Sequence, residues 1–263
     1  MENNEKEPKS RNQWLVKYSG FISGIAAGTA DTCLNYPPYG LHYRLGRGTN
    51  VWQLKYWTPR ELYRGVLAYS AIIPVTCIMD GVSQFLESKG FNSTMATFSS
   101  GMVAALLVST PTGNMIVTDQ RLSESQKPAG LKNSINSIIR HKGFGGFFTG
   151  IQCIAAREGV YSWAVFSAKN DVKEYMKSND ITASIIAGTI ATIISQPLDT
   201  TATVLQNQVK SISLKEGITR MYKENGIKRF YRGFYFRWYA IVAGVFVMSE
   251  TSEYVKSKLL NHN

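Results

Sequence analysis

Residues 181–206 read ITASIIAGTIATIISQPLDTTATVLQ, and the stretch from Ile181 to Leu198 carries no charge. A run of that size crosses the hydrocarbon core of a bilayer as a helix, which takes roughly 17–25 residues. Inside it Ser184, Gly188 and Thr192 recur at every fourth position, a ridge of small side chains on which a second helix can pack closely in lipid. The run closes on Gln196-Pro197, with Asp199 and Gln206 beyond it. A second stretch, Gly90 to Thr118, is also free of charge, and Ala96, Ser100 and Ala104 repeat the ridge. Shorter uncharged stretches, Tyr18 to Ala30, Val66 to Met79, Gly143 to Ala156 and Trp238 to Ser249, continue as apolar sequence beyond one or two ionisable residues. Six candidate spans result.

The whole-chain figures hide this segregation. A mean hydropathy of −0.12 is that of a soluble protein and excludes a bundle that is apolar on every side. With 44% hydrophobic and 18% charged residues the chain is too apolar for a disordered basic tail. The formal charge of +11 suits polyanions, anionic membrane surfaces or acidic small molecules, and 263 residues fit one or two domains. A soluble all-helical protein is the competing reading. Gly20, Gly24 and Gly28 in the first span oppose it, since each glycine in a soluble helix costs about 1 kcal/mol relative to alanine.

Cys33, Cys77 and Cys153 lie far apart inside candidate spans, without metal or redox spacing, and read as small core residues. Met1 to Arg11 mixes both charge signs and has no apolar core, so it reads as a solvated tail and not a cleavable presequence. His42, His141 and His262 are scattered. Gly143-Phe144-Gly145-Gly146 lacks the Lys-Ser/Thr of a phosphate loop. No enzyme, metal or cofactor is expected.

The chain repeats itself. Leu34-Asn35-Tyr36-Pro37, Val108-Ser109-Thr110-Pro111 and Ile194-Ser195-Gln196-Pro197 each end an apolar run, the prolines 74 and 86 residues apart. Tyr63-Arg64-Gly65, Phe148-Thr149-Gly150 and Tyr231-Arg232-Gly233 follow at intervals of 85 and 83, and each glycine opens a further span. Between the two marks, Leu131, Ile135, Ile138 and Ile139 in the second copy recur at helical spacing, as do Leu214, Ile218, Met221 and Tyr222 in the third. An apolar stripe beside Lys and Arg fits a helix lying at the membrane interface. In the first copy Asn50 to Glu61 is too short for a full version. The expected divisions are a polar tail over 1–15 and repeats over 16–90, 91–178 and 179–260, each built as a proline-terminated span, an interface helix and a second span.

Three such copies in register resemble the mitochondrial carrier family of inner-membrane solute transporters. The family motif is Pro-x-Asp/Glu-x-x-Lys/Arg, with Gln nine residues after the proline. The third copy keeps Pro197, Asp199 and Gln206 but has Ala202 for the base; the second keeps Pro111 and Gln120 but has Gly113 and Ile116; the first has Pro37, then Tyr39 and His42. The resemblance implies an all-α membrane protein: six transmembrane helices in three pseudo-threefold repeats, with short amphipathic matrix-side helices, around a central cavity. It further implies a multi-pass chain in the mitochondrial inner membrane, or a host mitochondrion's were the gene that of an intracellular parasite or virus. Its partners would be a small-molecule substrate and the lipid bilayer, cardiolipin at matrix-side helix N-termini included, with no nucleic acid; the chain would act as a monomer.

The resemblance also assigns gates. Charges after the prolines close the matrix side in the family, and aromatic-Asp/Glu-x-x-Lys/Arg motifs on the even spans close the cytoplasmic side; alternating access breaks one set while making the other. Here Asp199 has no basic counterpart at the matching positions except His42, so matrix closure is expected to rest on packing, Gln120 and Gln206. On the cytoplasmic side Glu253 and Lys256 fit in the sixth span, Lys173 in the fourth, and Gln84 or Phe85 falls where the second span needs an acid. Gates so unequal would bias transport in direction or remove the need for a counter-substrate.

Family binding sites lie seven to eight residues past the aromatic-x-Gly glycine, which places Ile72 and Ile73, Arg157 and Glu158, and Ala240 and Ile241 at the substrate, with Arg237 as an added base. A charged pair inside a membrane helix must face water or a partner. Arg157 can grip a carboxylate or phosphate with two parallel hydrogen bonds, and Glu158 can take a cation. The alternative for this pair is a structural bridge to Asp31 or Asp80. Arg followed by an acid resembles carriers of amino acids and S-adenosylmethionine, and the aliphatic flanks Ile72, Ile73 and Ile241, with Trp238 and Tyr239 near them, are placed to hold a planar apolar group such as adenine. The expected cargo is therefore a nucleotide (ATP/ADP), S-adenosylmethionine or an amino acid. A carrier-like scaffold without transport, or a soluble basic nucleic-acid-binding protein, are the alternatives.

Overall fold

The computed structural model describes residues 11–46, 58–59, 70–122 and 130–261. Gly65 and nearly all of Asn50 to Glu61 lie outside these, so the first copy's loop segment has no structural account. The described residues form eight helical rods and no strand. Helix α1 is Arg11–Gly46 and α2 is Ile72–Ser88. Helix α3 runs without interruption through Ser93–Ala104, a π-helical segment Ala105–Ser109, and Thr110–Leu122. The short α4 is Leu131–Lys142. Helix α5 passes through Ile151–Trp163, a second π segment Ala164–Ala168, and Lys169–Met176. Helix α6 is Asp180–Asn207, α7 is Leu214–Asn225 and α8 is Phe234–Asn261.

Local chemistry sets the ends of the rods. Asn92 accepts a hydrogen bond from the Thr94 amide at 2.8 Å and caps α3, and Asn179 does the same for α6 through Thr182. Ser213 caps α7 through the Glu216 amide. Helix α5 starts on Gly150 at φ +79°, a left-handed conformation that a side chain disfavours.

The six long helices form a closed ring: α1, α2, α3, α5, α6 and α8 each pack on the next, and α8 packs on α1. Close approach depends on the ridge of small residues. A Cβ on Gly24 would stand 2.4 Å from the Thr76 carbonyl oxygen of α2, and the Thr76 hydroxyl donates to the Gly24 carbonyl at 2.8 Å.

Polarity runs opposite to that of a soluble bundle. Among the described residues α3 and α6 alone are long and apolar enough to cross a membrane by composition. Five ionisable groups inside the other long helices are withdrawn from the surface: Asp31, Asp80 and Lys169 are fully buried, and Glu158 and Arg237 nearly so. Leu34, Leu106, Leu107, Ile185 and Ile193 face outward. Apolar outside and charged inside is the arrangement that a bilayer favours.

The prolines do not terminate their helices, contrary to expectation. Helix α1 continues past Pro37 to Gly46, α3 past Pro111 to Leu122, and α6 past Pro197 to Asn207. A proline inside a helix deprives the carbonyl four residues earlier of its partner. Here other groups serve that turn. The Tyr231 hydroxyl donates to the Ile193 carbonyl at 3.4 Å, the acceptor that Pro197 leaves open, and in α3 the π segment ends immediately before Thr110-Pro111. Three residues after Pro111 and again after Pro197 a polar side chain ties the helix to the chain at the aromatic-x-Gly segment of its own repeat. Asn114 donates to the Phe147 and Thr149 carbonyls at 3.0 and 3.1 Å, and Thr200 donates to the Phe230 carbonyl at 2.8 Å.

Candidate substrate site and gates

Near the N-terminal ends of α5 and α8 and in the last third of α6, these three helices bring two guanidinium groups to one carboxylate. Arg157 donates to Asp199 Oδ1 at 2.5 Å and also to Glu158, its neighbour in sequence. Arg237 Nε lies 3.6 Å from Asp199 Oδ2, and its terminal nitrogens donate to Gln196 and Ser195 of α6 at 3.1 Å each. Asp199 therefore has basic partners, against the expectation that its only possible counterpart is His42. They come from the positions predicted for the substrate, because Asp199 sits on the turn after Pro197 and looks toward α5 and α8. The bridge of Arg157 to another helix ends on Asp199, and not on Asp31 or Asp80. His42 and Gln120 have side chains outside the described residues.

The remaining predicted substrate positions divide. Ile72 packs against the apolar core, and Ile73 abuts α1, its Cα 2.7 Å from where a Gly28 Cβ would stand. Ala240 is fully buried and its carbonyl accepts from Asn35 of α1 at 2.7 Å; Ile241 lies in the same apolar core. Trp238 donates to Thr189 on the face of α6 that carries the exposed Ile185 and Ile193, and Tyr239 is exposed. With Ile72 and Ile241 packed into the apolar core and Ile73 against α1, these side chains do not form the open slot expected for adenine.

At the end of the ring where α2 meets α3 and α5 meets α6, ion pairs cross between non-neighbouring helices. Asp80 of α2 accepts from Lys256 of α8 at 2.5 Å, from Ser252 at 2.7 Å and from Ser23 of α1 at 2.5 Å. Lys169 of α5 pairs with Glu250 of α8, and stands 3.3 Å from Asp180 and 3.8 Å from Glu253. The acid of the second span is thus Asp80, not Gln84 or Phe85. Gln84 is bonded to Ser19 and the Gly20 amide instead. Lys173 pairs with Asp180 at 2.7 Å, and Lys169 spans α5 to α8 in its place. Asp80 and Lys169 each lie one helical turn nearer the membrane centre than the motif register predicts. Both were visible as charges in the sequence, but the motif spacing pointed past them.

At the opposite end α3 and α6 are joined by Arg121, which donates to the Gln208 carbonyl at 2.8 Å. Gln206, expected to bridge this gap, has its amide nitrogen buried without a hydrogen-bond partner, against Gly113. The main-chain carbonyl of Gln206 accepts from Lys142 of α4 at 3.0 Å. Burial, and next the positive charge of Arg121, lower the Lys142 ammonium from 10.5 to about 8.

Deeper in the ring, Tyr161 of α5 donates to the Met248 sulfur of α8 at 3.4 Å, and its hydroxyl comes within 2.7 Å of a Cβ built on Gly244. Asn35 and Asp31 of α1 close on the same glycine at 3.1 and 3.2 Å. None of these was singled out as a site residue from the sequence.

A model of the family described as mitochondrial carrier protein matches residues 87–180 and again 178–263. The succinate/fumarate mitochondrial transporter of Saccharomyces cerevisiae is 30% identical, over 76% of this chain and 73% of its own length. Mitochondrial citrate transporter C of Aspergillus niger is 26% identical, over 81% of this chain and 77% of its own. An uncharacterized mitochondrial carrier of Schizosaccharomyces pombe is 25% identical, over 86% of this chain and 87% of its own. Repeats, helical ring and inward charges agree with these matches: the chain belongs to the mitochondrial carrier family, whose members are membrane transporters of solutes and not enzymes.

Proposed function

We propose that this chain carries a small di- or tricarboxylate across the mitochondrial inner membrane by alternating access, with Arg157 and Arg237 as its anion grip. The observation that carries the reading is the convergence of both arginines, from α5 and α8, on the single carboxylate of Asp199. A geometry that holds a protein carboxylate between two guanidinium groups also suits a substrate carboxylate, and the planar guanidinium fork matches that group better than an ammonium does. Two relatives are named for succinate and fumarate and for citrate, which is the same chemistry.

The structure supports the nucleotide and amino-acid alternatives less well. An adenine ring would need an open apolar slot, and Ile72 and Ile241 are packed into the apolar core. An α-ammonium would need a free acid, and Glu158 is engaged by Arg157. Reconstitution in liposomes tests the reading. Succinate, citrate and 2-oxodicarboxylates are expected to be taken up, and Arg157→Ala to abolish that uptake. Uptake of ATP, S-adenosylmethionine or amino acids with none of carboxylates would overturn it.

A further inference from the structure

The carboxylate grip already holds a carboxylate, and it is the protein's own. Asp199 follows Pro197 by two residues on α6, and Ala202 stands where the family motif would supply a base. Arg157 of α5 takes one oxygen of Asp199 at 2.5 Å, and Arg237 of α8 faces the other at 3.6 Å. Asp199 keeps only about a sixth of its side-chain surface exposed, Arg237 less than a tenth and Arg157 a quarter. Among the described residues, two guanidinium groups stand against the carboxylates of Asp199 and Glu158, so these four charges balance.

We infer that Asp199 is a built-in surrogate substrate, which lets the carrier return across the membrane empty. This rests on the carboxylate reading above. An arriving substrate carboxylate takes Arg157 and Arg237 from Asp199, and α6 is released from α5 and α8 on the turn after its proline. When the substrate leaves, Asp199 closes on the arginines again. A buried charge stripped of its partner is strongly unfavourable. Because Asp199 refills the site, neither arginine crosses the membrane barrier uncompensated, loaded or empty. A counter-substrate is then no longer required for the return step. Self-occupation also has a consequence for affinity: the substrate must displace a tethered competitor, so the apparent affinity is lower than that of the bare arginine pair.

The test is succinate uptake into proteoliposomes, with and without internal succinate, by the wild-type chain, Asp199→Asn and Asp199→Glu. The wild type is expected to fill empty vesicles as well as exchange. Asp199→Asn should keep exchange, lower the KM for external succinate by about tenfold, and lose unloaded uptake relative to exchange by about tenfold, the size of effect that removal of an internal competitor gives. Asp199→Glu should restore unloaded uptake. Exchange by Asp199→Asn also reports that the variant folds. Unchanged KM and an unchanged ratio of unloaded to exchange uptake in Asp199→Asn would overturn the surrogate role and leave the carboxylate reading intact, as would a wild type that only exchanges. A wild type that moves no carboxylate in either mode would overturn both.

Discussion

Asp80 on α2 and Lys256 on α8 meet at 2.5 Å across the ring, although the two helices are not sequence neighbours and α1 stands between them in the ring order. Asp80 is fully buried there and also accepts from Ser23 and Ser252, so one carboxylate fastens three helices. Removing one partner of a buried pair costs about 3–5 kcal/mol, because the other charge is left without compensation. Asp80→Ala is expected to lose stability on that scale. Lys256→Met should lose at least as much, since the carboxylate it leaves behind is fully buried, whereas the lysine left by Asp80→Ala is about a third exposed. The double variant should fall short of the sum by about 0.5–3 kcal/mol. Thermal unfolding of the four proteins in detergent gives the cycle, and strict additivity would show that the pair is not coupled.

Much of this architecture was legible because the repeat marks are short-range. Proline, aromatic-x-Gly and small-residue ridges each act within a turn or two of their own backbone, so they survive in sequence at fixed spacing. What the sequence concealed depends on helix rotation and depth. Asp80 and Lys169 were plain as charges in apolar stretches, yet the motif register pointed one turn outward, to Gln84 and Lys173, since it carries no information on where the helices converge. The motif offers Asp199 no partner, because it pairs only equivalent motif positions in other repeats. Its arginines come from neighbouring helices within the ring, a relation that linear spacing does not encode. Prolines read as helix ends for a similar reason: Tyr231, which reaches the Ile193 carbonyl, is 38 residues away.

Gly24 meets α2 backbone to backbone in the α1–α2 seam, with a would-be Cβ 2.4 Å from the Thr76 carbonyl oxygen and 2.7 Å from the Cys77 Cα. Backbone cannot move aside as a flexible side chain can. Gly24→Val is expected to destabilise by about 1–3 kcal/mol or more, as overpacking generally does, and to lower the unfolding midpoint accordingly. Gly145→Ala is the matched control, because nothing lies within 4 Å of its Cβ position. It should stay within about 0.5 kcal/mol of wild type. Equal midpoints for both variants would contradict the close approach.

Lys142 lies outside the membrane helices, at the C-terminal end of α4, with its proton held at about 8 instead of 10.5. Below pH 8 both folded and unfolded chains carry the charge, and its partial burial opposes folding. Between 8 and 10.5 the folded protein has released a proton that the unfolded chain still binds, so this group's contribution to stability rises with pH across that window. Above 10.5 the contribution levels off. Lys142→Gln abolishes the dependence. The unfolding midpoint of wild type relative to Lys142→Gln is therefore expected to increase from pH 7 to pH 9.5; a constant or falling difference would contradict the lowered value.

Asn114 and Thr200 occupy the same place in successive repeats, three residues past Pro111 and Pro197, and each ties its helix to the chain that leads into the next span. Asn114 also donates to the Thr110 carbonyl, so its amide serves α3 as well as the Phe147 to Thr149 turn. Loss of such side-chain donors leaves buried acceptors open at about 1–3 kcal/mol each. The site lies further along the same helices: the Phe147 to Thr149 turn precedes Gly150, which starts α5 and sets the position of Arg157. Asn114→Leu, close in volume but unable to donate, is thus expected to lower stability and, in liposomes, to raise the substrate KM through misplacement of Arg157. Thr200→Val should do likewise by way of Phe230 and Arg237. Asn114→Asp separates volume from donation, since a carboxylate accepts but cannot donate to the carbonyls, and it should be at least as damaging as leucine. Wild-type KM in all three variants would show that these ties hold the repeat together without positioning the arginines.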